Sequence, residues 1–312
     1  MNYKYAVVIV TYNRLSLLKE CLSNALSQTY RFENIYVVNN NSNDGTLEYL
    51  SEIDKDYDNV HVYNLEKNIG GAGGFNFGLN QVKDDDFVLL IDDDAIIEKD
   101  YIERINEEIE EKYLAYSGTV LKEGNIDVSH RRYLVNDVFM SDADVPLDQY
   151  NNNSFIYDIS SFCGLIVSVP LVKKIGLPRE DFFIWYDDSE YSMRLKTYTR
   201  IKNVNAAQIN HKTKDAFING LSWKTYYGFR NYLEVGRIYS KNLFLFKCKR
   251  YFYHFEGTVY YWIKSLFCKD RGYYYKNCCL LHRTVMKDFK KHRMGISEIF
   301  KPGVNLEEKI VE

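Results

Sequence analysis

Four short apolar runs near the start of the chain each end in a polar loop, and residues at helical spacing follow the first three. The runs that predict strands are Tyr5–Val10, Ile35–Val38, Val60–Tyr63 and Phe87–Ile91. Strands and helices that alternate at this pace indicate an α/β fold with a parallel sheet flanked by helices. Because ligands bind beyond the carboxyl ends of such strands, we expect the four loops to form one binding edge.

Three consecutive carboxylates, Asp92, Asp93 and Asp94, follow the fourth predicted strand. Clustered acids repel one another, and they are tolerated mainly where a divalent cation neutralises them. Three aspartates alone are more often a solvated acidic turn. The other loops bring further polar residues to the same edge, namely Asn13, Arg14, Asn39 and Asp44. Together they favour a site for a phosphate-bearing ligand and a metal.

Four glycines follow the third predicted strand and are expected to precede a helix: Gly70, Gly71, Gly73 and Gly74. Their spacing matches neither the dinucleotide fingerprint nor the phosphate loop of nucleotide triphosphatases. Such glycines allow a sugar or diphosphate to approach backbone N–H groups. They are equally typical of a flexible turn that needs positive φ angles, so both interpretations stay open.

An acid pair, Asp187 and Asp188, follows the aromatic run Phe182–Tyr186. Aromatic neighbours restrict water and raise the basicity of a carboxylate, as a general base requires. On these residues alone, acids that stabilise a helix N-terminus are the commoner interpretation. Upstream, Ile156–Val169 predicts one buried strand with a kink at small residues, and residues 115–155 are expected to include acceptor-side loops.

The C-terminal part of the chain is basic and aromatic. Residues 240–291 contain 12 Lys or Arg and three acids, a charge of +9, although the whole chain carries −3. Such a segment is typical of a surface that binds nucleic acid, an anionic membrane or an acidic partner. Six cysteines without ligand spacing indicate reduced thiols rather than a zinc module or disulfide scaffold. The N-terminal apolar run is too short for a signal peptide, which predicts a cytoplasmic protein.

The motifs jointly resemble the inverting nucleotide-sugar glycosyltransferases of family 2, which have the GT-A fold. The resemblance covers roughly residues 4–235 and rests on the segments Val8–Arg14, Asn39–Thr46, Asn68–Phe75, Asp92–Ala95 and Trp185–Tyr191, with Tyr226, Tyr227, Arg230 and Asn231. The glycines, the triple aspartate and the acid pair are most similar to bacterial galactofuranosyltransferases, followed by rhamnosyltransferases. It implies a Rossmann-like mixed sheet flanked by helices over 1–235, with a nucleotide half to about 115 and an acceptor half from about 116, and a helical subdomain over 236–312.

The resemblance also implies residue roles. Donor-binding residues would be Thr11, Tyr12, Asn13, Arg14, Asn39, Asn41, Asn68, Gly70, Gly71, Asp92 and Asp93. A Mn²⁺ or Mg²⁺ ion would be bound by Asp92, Asp94 and His211, while Asp188 would be the catalytic base and Asp187 its acidic neighbour. Asn39 stands where the family commonly has an acid that contacts the nucleobase, so thymidine stays open beside uridine.

The activity implied is transfer of a sugar, with inversion, from UDP-galactofuranose to a hydroxyl of a cell-surface or lipid-linked glycan, as in bacterial cell-wall polysaccharide synthesis. The alternatives are a dTDP-rhamnose or other hexosyl donor, and a nucleotide-sugar binding scaffold without turnover. No nucleic-acid partner is expected. The basic aromatic tail would either contact the anionic inner face of the membrane peripherally, or pack on the protein and pair subunits into a homo-oligomer.

Overall fold

A mixed sheet organises the chain before residue 212. The computed structural model describes residues 3–212 and 220–309. Its strands are β1 Tyr5–Thr11, β2 Asn34–Asn39, β3 Val60–Asn64, β4 Phe87–Asp92, β5 Ala95–Ile97, β6 Ala115–Lys122, β7 Asn125–Ile126, β8 Arg131–Asn136, β9 Ser141–Asp144, β10 Ser154–Tyr157, β11 Ile159–Ser160, β12 Leu165–Ser168 and β13 Ile201–His211. Its α-helices are α1 Leu15–Leu26, α2 Thr46–Asp56, α3 Gly70–Gln81, α4 Tyr101–Glu107, α5 Val169–Ile175, α6 Asp187–Leu195, α7 Trp223–Tyr239, α8 Leu243–Phe267 and α9 Gly272–Lys290.

The four predicted N-terminal strands are confirmed, and they pair in parallel in the order β4-β1-β2-β3. The sheet continues through β12, β6, β13 and β10, and β12 runs antiparallel to β4, so the sheet is mixed as expected. The register sets Thr11 beside Asn39 and Val10 beside Asp92. The polar loops therefore do share one edge.

Both faces of the central strands are buried, because helices cover each side. Every residue of β1 is buried, and its alternate side chains enter two separate apolar clusters. Leu18 and Leu22 of α1 pack with one face, and Phe75 and Leu79 of α3 pack with the other. Continuous apolar strands of this kind are typical of sheets covered on both sides.

The four glycines lie inside α3 rather than before it, which corrects the expected order of loop and helix. A Cβ atom at Gly74 would lie 2.6 Å from Cγ1 of Val10, and one at Gly78 would lie 2.4 Å from Cγ1 of Val8. Gly74 and Gly78 therefore allow close packing of this helix on β1. The single strand predicted over Ile156–Val169 is also wrong, since the range covers the end of β10, then β11 and β12. Gly164, with a φ of +89°, lies between β11 and β12.

The chain forms two compact units. The first contains most of the chain before Leu134, together with Asp142–Glu180 and the segment that begins at Asp188. The second contains Val135–Ser141, Asp181–Asp187 and the C-terminal helices, and the expected helical extension is confirmed. Within the ranges that the structure describes, no helix is long and apolar enough to cross a bilayer.

Candidate active site

The three aspartates lie at the end of β4 on the shared edge, and the side chains of Asp93 and Asp94 are buried. The Thr11 hydroxyl donates a hydrogen bond of 2.7 Å to Asp93 Oδ2. Nη1 of Arg14 lies 3.1 Å from Asp93 Oδ1 and 2.5 Å from Asp94 Oδ2. The end of β1 and the start of α1 thus hold the acidic cluster in a fixed arrangement.

Burial shifts the pKa values of this cluster upward. It raises the pKa of Asp93 to about 6, although the Arg14 guanidinium and the Thr11 hydroxyl oppose the rise. The pKa of Asp92 is also raised, first by burial and then by the charges of Asp94 and Asp93. One guanidinium does not offset three neighbouring carboxylates, two of which are buried, so the charge balance suits a divalent cation.

His211 is the last residue of β13, and backbone pairing sets it beside the acidic turn. The register of β13 with β5 pairs His211 with Ala95, and the Lys212 amide donates to the carbonyl oxygen of Asp94 at 2.9 Å. Nε2 of His211 lies 3.6 Å from Oδ1 of Asp94. An imidazole and a carboxylate at this separation are a pair of metal ligands suited to Mn²⁺ and other transition metals.

The loops after β1 and β2 are interlocked by hydrogen bonds. The Asn13 amide donates to the Ser42 hydroxyl at 2.9 Å, and the Asn43 amide donates to the Asn13 side chain at 2.8 Å. Asp44 accepts from the backbone amide of Leu15 at 2.9 Å. Asn13 has a φ of +53°, a conformation that Asn adopts more readily than most residues. These contacts give the predicted nucleotide loops one defined conformation.

Asn39 is buried, and both ends of its amide are bound within the protein. Its Nδ2 donates to Asn64 Oδ1 at 2.8 Å, while its Oδ1 accepts from the Ser42 amide at 3.0 Å. Asn39 therefore orders the loop. Tyr12 and Asn41 are exposed on the same loops, so their side chains are accessible to a ligand.

Asn40 was not identified from the sequence, but it holds the start of α3. Its Nδ2 donates to the Gly70 carbonyl at 2.9 Å, and its Oδ1 accepts from the Ile69 amide at 2.8 Å. Asn68 Oδ1 accepts from the Gly70 amide at 2.8 Å. A Cβ atom at Gly71 would meet nothing within 4 Å, so the first turn of this helix has open space beside it.

The predicted base, Asp188, lies in the first turn of α6. Its Oδ1 accepts from both the amide and the hydroxyl of Ser189, at 2.5 and 3.0 Å. Nη2 of Arg132 donates to the Ser189 hydroxyl at 3.0 Å, and Nη1 of Arg132 is paired with Asp142 at 2.8 Å. A guanidinium, a hydroxyl and the Asp188 carboxylate thus form a continuous chain. Asp187 is buried and belongs to the second unit.

A series of contacts joins α6 to the histidine at the acidic edge. Ser192, one helical turn after Asp188, accepts from the Ser160 amide at 3.1 Å. The hydroxyl of Ser161 lies 2.7 Å from Nδ1 of His130. The His130 ring lies 4.8 Å from the ring of His211. All these residues belong to the first unit.

In the second unit, Asn231 of α7 holds the aromatic segment that leads into α6. Its side-chain amide donates to three carbonyl groups, at 2.8 to 2.9 Å, and these belong to Phe182, Ile184 and Trp185. The segment needs this support because three of its residues have positive φ angles, namely Phe183, Trp185 and Tyr186. Such backbone conformations persist only where the surroundings fix them.

Comparison with known proteins gives the family. A family model described as glycosyl transferase family 2 matches residues 6–168, more than half of the chain. Glycosyltransferase GlyA of Streptococcus pneumoniae serotype 4 is 33% identical over 108 residues, 35% of this chain and 15% of that protein. The poly-beta-1,6-N-acetyl-D-glucosamine synthase of Staphylococcus aureus strain COL is 31% identical over 93 residues, 30% of this chain and 22% of that protein. The matched segments thus span less than a quarter of either relative.

Solved structures give the fold. GalNAc-T7, crystallised with UDP, GalNAc and Mn²⁺, has a TM-score of 0.65 and 16% identity, covering 93% of this chain and 56% of that chain. Residues 1–349 of S. aureus TarS in complex with UDP have a TM-score of 0.55 and 18% identity, covering 97% and 98% of the two chains. These likenesses confirm the GT-A fold. Because the family model matches more than half of its residues, the chain belongs to glycosyl transferase family 2.

Proposed function

We propose that this glycosyltransferase moves a hexose, with inversion, from a UDP-sugar to an acceptor hydroxyl and depends on a divalent cation. The observation that carries the proposal is the meeting of Asp94 and His211 beside the interlocked loops of β1 and β2. The UDP and Mn²⁺ of the GalNAc-T7 crystal and the UDP of the TarS complex support the choice of donor class. The glycan named for the Staphylococcus aureus relative supports a cell-surface polysaccharide as acceptor.

The donor diphosphate would lie between the acidic cluster and the first turn of α3. Arg14 and the backbone amides beside Gly71 supply positive charge and N–H donors there. When bound by Asp94 and His211, a Mn²⁺ or Mg²⁺ ion offsets the negative charge that develops on the departing nucleoside diphosphate. Asp92 and Asp93 add negative charge that Arg14 alone does not offset, and the cation would balance it.

Asp188 would act as the general base. The acceptor oxygen forms a bond to the anomeric carbon as the bond from that carbon to the diphosphate oxygen breaks, and the bonding electron pair leaves with the nucleoside diphosphate. The acceptor proton passes to Asp188, whose Oδ1 already accepts two hydrogen bonds from Ser189, so Oδ2 is the oxygen available to take it. Attack from the face opposite the leaving group inverts the configuration.

A thermal-shift screen in Mn²⁺ tests the donor. UDP-galactofuranose is expected to raise Tm more than UDP-galactose, UDP-glucose or dTDP-rhamnose. At 100 times Kd the stabilisation is about 2.7 kcal/mol, which corresponds to a rise in Tm of roughly 5 to 11 °C for domains of this size. A larger shift with dTDP-rhamnose would support the rhamnosyl alternative. UDP release that does not increase with any glycan acceptor would favour the non-catalytic scaffold.

We also propose that α8 docks the protein on an anionic bilayer. Its large apolar side chains are exposed to water on one half of the helix circumference: Phe244, Leu245, Phe252, Phe255, Trp262, Ile263, Leu266 and Phe267. The opposite half contains the buried Phe246 and His254. Exposed apolar patches of this kind mark interaction surfaces. The surrounding charge of +9 over residues 240–291 disfavours pairing with a second copy and favours anionic lipid.

Replacing Phe252, Phe255 and Trp262 together by Ser tests this docking. If each side chain contributes about 1 kcal/mol, the variant should bind phosphatidylglycerol vesicles about 100-fold more weakly in a sedimentation assay. Leu147→Ser is the matched control, since Leu147 is an exposed apolar residue of the first unit. Unchanged sedimentation, or a dimer in light scattering that the triple substitution dissociates, would contradict membrane docking.

A further inference from the structure

A second set of metal-ligating side chains lies next to His211. Asp127 follows the short strand β7, and His130 closes the 3-10 helix Val128–His130 that comes after it. Each of Asp127, His130 and His211 contributes a ligand atom to a group in which all three atoms lie within 4.8 Å of one another. Both parts of the group are held beside β6. The strand β13, which ends at His211, runs parallel to β6. The Asp127 amide donates to the Val120 carbonyl of β6 at 2.8 Å.

The remaining atoms of Asp127 and His130 are already bound, and this orients the two side chains. Asp127 Oδ1 accepts from the amide and hydroxyl of Ser129, at 3.1 and 2.6 Å. Nδ1 of His130 lies 2.7 Å from the Ser161 hydroxyl. Oδ2 of Asp127 and Nε2 of His130 are left facing each other at 3.4 Å. Outer hydrogen bonds that fix the tautomer and orientation of an imidazole are typical of metal-ligating histidines.

A simple ion pair between Asp127 and His130 accounts for two members of the group but does not explain why His211 lies within 4.8 Å of both. A second imidazole, His211, stands perpendicular to His130 with ring centroids 4.8 Å apart, and its Nε2 lies 3.6 Å from Asp94. Ligands about 2.1 Å from a cation are roughly 3 to 3.5 Å from one another. The separations of 3.4 Å between Asp127 and His130 and of 3.6 Å between His211 and Asp94 are close to that range. Two imidazoles and carboxylates also differ chemically from the all-oxygen sets that hold Mg²⁺.

We infer that Asp127 and His130 join His211 and Asp94 in binding a divalent transition metal, and that this donor set selects Mn²⁺, Co²⁺ or Zn²⁺ over Mg²⁺. The inference rests on the proposed function, since it shares His211 and Asp94 with the donor site. It adds Asp127 and His130 to the two protein ligands, Asp94 and His211, of the proposed donor site. The nitrogen ligands restrict the cation that the enzyme uses.

Binding of Mn²⁺ alone, followed by the electron paramagnetic resonance signal of the free ion, tests the inference. His130→Ala and Asp127→Asn are each expected to weaken Mn²⁺ binding at least 10-fold, and Ser161→Ala, which removes only the orienting hydroxyl, about 10-fold. His61→Ala is the control, because His61 is partly buried in the same unit and bound to Asn34. Circular dichroism melts verify that each variant is folded, and Asp127→Asn keeps the test valid if His130→Ala does not fold.

The outcomes separate this inference from the proposed function. Loss of Mn²⁺ affinity in both variants, with at least 10-fold weaker binding of Mg²⁺ to the wild type, supports the site. Wild-type affinity in both folded variants, together with lost affinity in Asp94→Asn, overturns the role of Asp127 and His130 and leaves the transferase proposal intact. A wild-type protein that binds no Mn²⁺, with or without UDP, overturns the inference too, and sugar transfer in EDTA then decides whether the transferase proposal survives.

Discussion

Replacing Asp188 by Asn is expected to lower the rate of sugar transfer by about 10²–10⁴, because an amide does not accept the acceptor proton. The fold should persist, since Asn Oδ1 can still accept from the Ser189 amide and hydroxyl. Donor binding should be retained as well, because the residues proposed to contact the diphosphate are on other loops. The measurements are single-turnover transfer with radiolabelled donor and, in parallel, the thermal shift that the donor produces.

Asp142→Asn is the matched control for Asp188→Asn. It removes one carboxylate from the same unit, and Asp142 contacts Arg132 rather than the proposed acceptor. Its effect on transfer should stay within a few-fold of the wild type. If Asp188→Asn transfers sugar at the wild-type rate, the assignment of the base is wrong. If both variants transfer sugar equally slowly, the rate depends on the negative charge of this region and not on proton transfer to Asp188.

The parallel half of the sheet and the acidic edge could be predicted because their signals are local. Each of β1 to β4 is a short apolar run that ends at a polar residue, and parallel strands bring such ends together. Thr11 and Asn39 are therefore neighbours in register, although 28 residues separate them. The triple aspartate could be predicted for the same reason, since it lies at the end of a strand that is buried on both faces.

The contact of His211 with His130 could not be predicted, because it depends on non-local strand pairing. His130 and His211 are 81 residues apart, and their rings meet only because β13 inserts beside β6 with the observed register. A register shift of one residue would turn the side chain of His211 to the other face of the sheet. The residue types of Asp127 and His130 do not indicate a metal site either, since a single His or Asp in a loop is common.

The glycines of α3 show a different limit of sequence reasoning. Glycine is a poor helix former, so four glycines in five residues predict a loop. Tertiary packing overrides that preference, because the backbone of α3 approaches Val8 and Val10 of β1 too closely for side chains at Gly78 and Gly74. A pattern that resembled a ligand loop thus includes glycines that serve helix packing, while the first turn of the helix is held by Asn40, which binds the Gly70 carbonyl.

Arg131 lies in the range 115–155 that was expected to include acceptor-side loops, and its side chain is fully buried at the start of β8. Its guanidinium donates to backbone carbonyls and polar side chains of the surrounding strands and loops, which belong to Gly118, His130, Cys163, Ser160 and Asn203. The next residue, Arg132, has different surroundings, because its side chain is partly exposed and contacts Ser189. No sequence signal distinguishes the two arginines.

Arg131→Met is expected to lower the free energy of unfolding by about 3 to 5 kcal/mol, because it leaves several buried carbonyl groups without donors. Hydrophobic replacement can compensate for a lost ion pair, but here the acceptors include main-chain carbonyls, which no substitution removes. For domains of this size the loss corresponds to a Tm lower by roughly 6 to 20 °C in calorimetry. Arg104→Met is the control, since its exposed pair with Asp100 is worth at most about 1 kcal/mol. A Tm within about 2 °C of the wild type for Arg131→Met would show that the buried guanidinium does not hold these strands together.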